Sequence, residues 1–200
     1  METNSIWEEM AKRYDTEDRV KIANIIVQAI RLGLNNTKEK TALDYGCGTG
    51  LIGLGLTDMF QSVLFVDPSV QMLEQVNQKI KTGHIECAKT LCCDFLEEVP
   101  STLQVDYIIM SQVLLHIKNS RLILTRLYST LNAGGHLFVV DFDKNETIIS
   151  DRVHNGFVQG ELIELLKQIG FTSAAARTFH YGNAIFMNQD GSLFILDAVK

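Results

Sequence analysis

The sequence predicts an α/β fold: a doubly wound, mostly parallel seven-stranded sheet with one antiparallel strand near its edge. Three observations predict it. Short β-branched and aromatic runs alternate with segments of helical spacing through most of the 200 residues, a pattern that calls for parallel strands joined by crossover helices. A glycine-rich turn, "GCGTG" (46–50), follows the first strand directly. The last two strand-like runs are separated only by "NQDG" (188–191), which permits antiparallel pairing but no crossover.

Each element has its own local reason. Val20, Ala23, Val27, Ile30 and Leu34 recur at helical spacing, and the run ends near Gly33 and Asn35. "TALDY" (41–45) reads as a strand, and "LIGLGLTDMF" (51–60) as a helix despite Gly53 and Gly55, each of which costs ~1 kcal/mol against alanine. "SVLFVD" (62–67) reads as a buried strand. Pro68 and Ser69 then open a helix with Val70, Leu73, Val76 and Ile80 on one face. "KTLCCDF" (89–95) and "VDYIIMSQ" (105–112) are the third and fourth strands. A helix over 119–131 buries Ile123, Leu127 and Leu131 and stops at "NAGG". "HLFVVDF" (136–142) is the fifth strand, 143–157 is polar and irregular, and "GELIELLKQIGF" (160–171) is amphipathic and closed by Gly170. "AARTFHYG" and "LFILDAVK" complete the sheet, with His180 and Tyr181 expected to pack within that hairpin.

Composition sets further bounds. With 46% hydrophobic and 21% charged residues and no linker, the chain reads as one domain over 1–200, with 1–35 as a helical cap or lid and 36–200 as the core. No secretory start and no ~20-residue apolar run occur, so a cytoplasmic chain without a membrane span is expected. A net charge of −6 without a basic run argues against a nucleic-acid partner. Cys47, Cys87, Cys92 and Cys93 form no C-x-x-C pair, so buried thiols are expected and no metal site.

Ligands of open α/β sheets bind beyond the carboxyl ends of the strands. Those ends carry Asp44, Asp67, Asp94, Ser111 with Gln112, and Asp141. Gly48, Gly50 and Gly53 spell G-x-G-x-x-G, with Asp67 lying 19 residues past Gly48, as in a dinucleotide site. Gly46, Gly48 and Gly50 also spell G-x-G-x-G behind Asp44. An acid there repels a pyrophosphate and favours a ligand that carries positive charge.

The ordered series resembles the class I S-adenosylmethionine-dependent methyltransferases, with their Rossmann-like fold. "LDYGCGTG", "VLFVDPSVQML", "CCDF", "VDYIIMSQVLLHI" and "LNAGGHLFVVDF" are similar to successive motifs of that family, across about 41–200. "IWEEMAKRYD" resembles the N-terminal helix of its small-molecule and quinone-biosynthesis members. The resemblance implies S-adenosylmethionine as cofactor and S-adenosylhomocysteine as product. It sets Asp44 toward the methionine end, Gly46, Cys47 and Gly48 close beneath the ligand, Asp67 on the ribose hydroxyls, Met72 or the Val66–Pro68 segment against the adenine face, and Asp94 with the Phe95 N–H on the adenine edge, with Ser111 and Gln112 as further cofactor-binding candidates.

Methyl transfer is an in-line displacement that needs alignment first and a general base only for some acceptors. His116 and His154 are the base candidates, and Trp7 and Tyr14 the candidates to line a lid over the acceptor. "MSQV" at the end of the fourth strand is not the N/D-P-P-Y/F of base amino-methylases, and no Pro-Cys stands there. A small-molecule acceptor, reached between 1–20 and 143–157, is the expectation. The alternatives are a nicotinamide-dependent oxidoreductase and a noncatalytic protein-binding module of the same fold.

Overall fold

The computed structural model describes residues 8–200; Trp7 lies outside the described residues. Helix α1 (Glu17–Arg31) opens at Thr16, whose side chain accepts the Arg19 N–H, with Glu17 and Asp18 at the positive end of the helix dipole. β1 (Thr41–Tyr45), β2 (Ser62–Asp67), β3 (Ala88–Cys92), β4 (Val105–Ser111) and β5 (Leu131–Phe142) are parallel, and α2 (Val70–Gly83) and α3 (Ser120–Thr130) serve as crossovers. α4 (Gln159–Ile169) leads into β6 (Ser173–Phe186) and β7 (Gln189–Val199). The order is β3-β2-β1-β4-β5-β7-β6, with β7 antiparallel to both its neighbours. The seven-stranded sheet with one reversed strand near its edge is the predicted fold.

Both faces of the central strands are covered. Ala42, Phe65, Ile109 and Phe138 meet α1 through Ile26 and Ile30, while Leu43, Ile108, Leu137 and Leu196 meet α3 and α4 through Leu124, Leu127 and Leu166. Burial on both sides is why these strands read as unbroken apolar runs. β2 follows β1 on one side of it, and β4 lies on the other side. The chain therefore reverses its direction of winding between β1 and β4, and a crevice opens there at the carboxyl ends.

Five local expectations change. The segment after the glycine loop is a 3₁₀ helix (Gly53–Met59), because the Gly53 N–H donates to Asp44 (3.0 Å) and leaves the α-helical ladder. β5 begins at Leu131, five residues early, because Gly134 and Gly135 pair with the backbone of Lys200. The final turn is Met187–Asn188, with φ of +51° and +60°, a two-residue hairpin turn in place of "NQDG". Phe186, 2% exposed and stacked on Phe142 at 4.2 Å, sets that register. Cys92 is exposed and Cys93 half-buried, contrary to the expected burial, because β3 is an edge strand; Tyr181 is likewise 77% exposed rather than packed in its hairpin.

Candidate functional site

The glycine loop is held to the sheet by its own backbone. The N–H groups of Gly46 (2.8 Å) and Cys47 (3.1 Å) both donate to the Val66 carbonyl of β2. Gly46 has φ +67°, and a Cβ there would stand 2.5 Å from Val113 Cγ2, so only glycine fits this bend. Beyond it, the Gly48 N–H donates to Asp67 Oδ2 (2.9 Å), and the Ser69 N–H donates to Asp67 Oδ1 (2.8 Å). One carboxylate thus joins the loop after β1 to the helix start after β2. An ionised carboxylate offers about four lone-pair positions, so two remain for a ligand.

Asp44 is 2% exposed, and burial raises its carboxyl pKa to about 7 against the pull of the Gly53 amide. A Cβ on Gly53 would lie 2.5 Å from Asp44 Oδ2 and 2.6 Å from Phe65. The glycine that looked costly in a helix is where the carboxylate comes closest. Asp67 is raised in the same direction, mainly by burial, then by the charges of Glu8 and Asp94. Asp94 Oδ1 accepts the Leu96 N–H (2.8 Å) and shapes the turn after β3. Arg126 of α3 donates to the Phe95 carbonyl, and the Phe95 ring, fully buried, leans on Tyr45 at 4.9 Å. Met72 is 2% exposed on the first turn of α2, where the Ser69 hydroxyl caps its N–H.

β4 delivers Ser111 and Gln112 to the crevice. Gln112 has φ +53°, and its N–H donates to the Val140 carbonyl (2.7 Å). The Ser111 hydroxyl is the one buried side-chain polar atom among the described residues without a hydrogen-bond partner. A buried hydroxyl without a partner costs about 1–3 kcal/mol, which singles out Ser111 at the carboxyl end of β4.

The two histidines converge on one turn. Asp141, fully buried at the end of β5, accepts the N–H groups of Leu115 (3.1 Å) and Phe142 (2.8 Å), and burial raises its carboxyl to about 7. It thereby holds the 3₁₀ turn Leu114–His116, and burial pushes the His116 pKa down. From the other side, the His154 N–H donates to the Leu115 carbonyl (2.8 Å) and its Nε2 to the Ile117 carbonyl (3.0 Å). His154 therefore fastens the 143–157 segment to the residues flanking His116.

Sequence reasoning missed a set of groups that hold the N-terminal segment on this site. Glu8 accepts the N–H groups of Val70 (3.0 Å) and Gln71 (3.2 Å). Asp15 accepts from Thr49 Oγ1 and from Lys79 Nζ (2.6 Å), and Lys79 also donates to the Thr49 carbonyl (2.7 Å). The Tyr14 ring would be 3.9 Å from a Cβ on Gly48, with the Arg19 guanidinium 4.1 Å from its centroid. No local signal announces these pairs, since Asp15 and Lys79 are 64 residues apart. An open depression of about 420 Å³ lies beyond β5, walled by Lys144, Asn145, Tyr181 and Asp190.

Sequence comparison agrees with this geometry. Residues 43–137, from β1 into β5, match the family described as a methyltransferase domain. Over that stretch, just under half of its length, the chain is similar to methyltransferase domains. An uncharacterized methyltransferase of Schizosaccharomyces pombe is 26% identical over 163 residues, covering 70% of this chain and 57% of the relative, so the chain spans little more than half of that protein. Phosphoethanolamine N-methyltransferase 2 of Haemonchus contortus, solved with S-adenosyl-L-methionine, superimposes with TM-score 0.71 at 16% identity, over 88% of this chain and 52% of the other. A SAM-dependent methyltransferase from Aquifex aeolicus matches over 96% of this chain and 97% of its own, with TM-score 0.71 at 17% identity. At such identities the structures establish the shared fold.

Proposed function

We propose that this domain transfers a methyl group from S-adenosylmethionine to a small-molecule acceptor. The observation that carries the proposal is the rim at the carboxyl ends of β1, β2 and β4, which carries a bare-backbone loop, the clamped Asp67 carboxylate and the orphaned Ser111 hydroxyl. These groups suit the cofactor. Asp67 has two lone-pair positions left for the ribose hydroxyls. Asp94 and the Phe95 amide flank the adenine edge, Pro68 and Met72 its face. Gly46, Cys47 and Gly48 leave room for close backbone approach, and Ser111 with Gln112 faces the methionine end. Asp44 stands at the methionine end and braces the loop through the Gly53 amide.

S-adenosylmethionine supplies an electrophilic methyl group on a sulfonium leaving group. The protein supplies alignment, with reacting atoms about 3–3.5 Å apart, and exclusion of water. His116 is the base for acceptors that must lose a proton. Its lowered pKa keeps the ring neutral, and so able to accept, below its ordinary value of 6.5. His154, whose Nε2–H is committed to Ile117, positions the turn that carries His116. The acceptor enters between the N-terminal segment with Tyr14 and the 143–157 segment, near the depression beyond β5. No described helix is long and apolar enough to cross a membrane.

A pyrophosphate in the same crevice would face Asp67, Asp94 and Glu8, which weighs against a nicotinamide cofactor. Calorimetry decides between the readings. Binding of S-adenosylmethionine and S-adenosylhomocysteine with no heat from NAD or NADP is the expected result. Folded protein that binds neither sulfur compound would overturn the proposal. A methyl-release screen over metabolite pools then names the acceptor.

A further inference from the structure

The N-terminal segment is attached beside the glycine loop by polar contacts as well as by the buried Ala11 and the half-buried Tyr14. Asp15 lies at the centre of one attachment. Its carboxylate takes the Thr49 hydroxyl on one oxygen and the Lys79 ammonium on the other (2.6 Å), while Lys79 also reaches the Thr49 carbonyl (2.7 Å). Three separate pieces of chain are thus tied at one point: the segment before α1, the last turn of the glycine loop, and the outer face of α2. Both charged side chains are about one-third exposed, at 32% for Asp15 and 33% for Lys79. The second attachment is Glu8 on the first two free amides of α2. Between the two lies Tyr14, over Gly48.

What the segment covers gives the attachment its meaning. Asp67, the carboxylate with lone pairs still to offer, is only 8% exposed, and Ser69 beside it is fully buried. Glu8 and Tyr14 both lie within electrostatic range of Asp67. A ligand bound through Asp67 is therefore enclosed while the segment is docked, and it leaves when the segment lifts. The partly solvated ion pair is the part of this attachment that opens readily, because water and salt replace it.

We infer that Asp15, Lys79 and Thr49 form a releasable clasp that positions the segment around Tyr14 over the glycine loop and sets the rate of cofactor exchange. Asp15 and Lys79 are positioning residues: they touch each other and the loop, and they act on the cofactor by holding the cover shut. The inference rests on the S-adenosylmethionine reading given above.

The test is stopped-flow dissociation of S-adenosylhomocysteine from the full chain. Lys79→Met and Asp15→Asn are expected to raise the dissociation rate by about three- to tenfold, the scale of one partly exposed ion pair. The double substitution is expected to add little to either single one, because both remove the same contact. The wild-type rate is expected to rise between 50 and 500 mM KCl, and the Lys79→Met rate to stay flat, a difference that general loss of stability would not produce. Dissociation within twofold of wild type in both single variants, or equal salt dependence in wild type and Lys79→Met, overturns the clasp while leaving the methyltransferase reading in place. Calorimetry on the wild type separates the two ideas: if it binds no S-adenosylhomocysteine, the cofactor reading falls, and the clasp falls with it.

Discussion

The two wings of the sheet are built in different ways. The β1–β2–β3 wing fixes its site with backbone amides on carboxylates: Gly48 and Ser69 on Asp67, Gly53 on Asp44, Leu96 on Asp94. Every partner there lies within 19 residues of its acid. The β5–β7–β6 wing relies on side chains gathered from distant elements. Asp143 accepts from Gln159 (2.6 Å), Thr178 (2.9 Å) and Ser192 (2.7 Å), which tie the end of β5 to α4, β6 and β7. That wing also leaves Tyr181 77% and Ile149 95% exposed. On the function proposed above, the backbone-built wing would hold the cofactor and the side-chain-built wing the acceptor.

The largest expected effect tests the rigid wing. Gly53→Ala drives a methyl into Asp44 and Phe65 and should lower unfolding free energy by about 3 kcal/mol in urea titration. A loss below ~1 kcal/mol would mean that the loop has slack. Next, His116→Ala should reduce kcat about a hundredfold for an acceptor that must be deprotonated, leaving the S-adenosylhomocysteine Kd unchanged. In the wild type the acid limb of kcat should fall below pH 6.5, since the group must be neutral to act and burial lowers its pKa. Asp67→Ala should weaken cofactor binding by at least about tenfold in calorimetry with the fold intact, as two charge-assisted hydrogen bonds are lost. Asp143→Ala separates the wings. It should raise the acceptor KM several-fold while the cofactor Kd stays put, and equal damage to both would erase the distinction.

The smallest expected effect concerns pH. Asp141 and Asp44 have native carboxyl pKa values of about 7 against an ordinary 3.8, so the native state holds protons that the unfolded chain releases. Their contribution is full below pH ~4 and is lost as pH rises through about 7. The melting temperature should therefore decline between pH 5 and 8, and Asp141→Asn should flatten that slope. A slope unchanged in the variant would place the titration elsewhere.

Legibility in the sequence follows the same division. Asp44, the loop glycines and Asp67 stood out because each acts through near-neighbour backbone, so spacing along the chain encodes spacing in the site. The 3₁₀ helix was misread as α because glycine content records a cost without saying which contact offsets it. Cys92 and Cys93 were misread because β-propensity does not say which strand ends up at the edge. Glu8, Asp15, Lys79 and Arg126 carried no signal, since each meets a partner from a remote segment.

The alternation of strand and helix periods, the short final connection and the glycine–acid spacing determined the fold and the position of the crevice, because these are local properties summed along the chain. Only the tertiary structure decided that His154 braces the His116 turn, that Ser111 keeps an unpaired hydroxyl, and that Asp15 and Lys79 close over the loop. Those outcomes depend on which surfaces the folded sheet brings within 3 Å of each other, and no periodicity in one dimension carries that information.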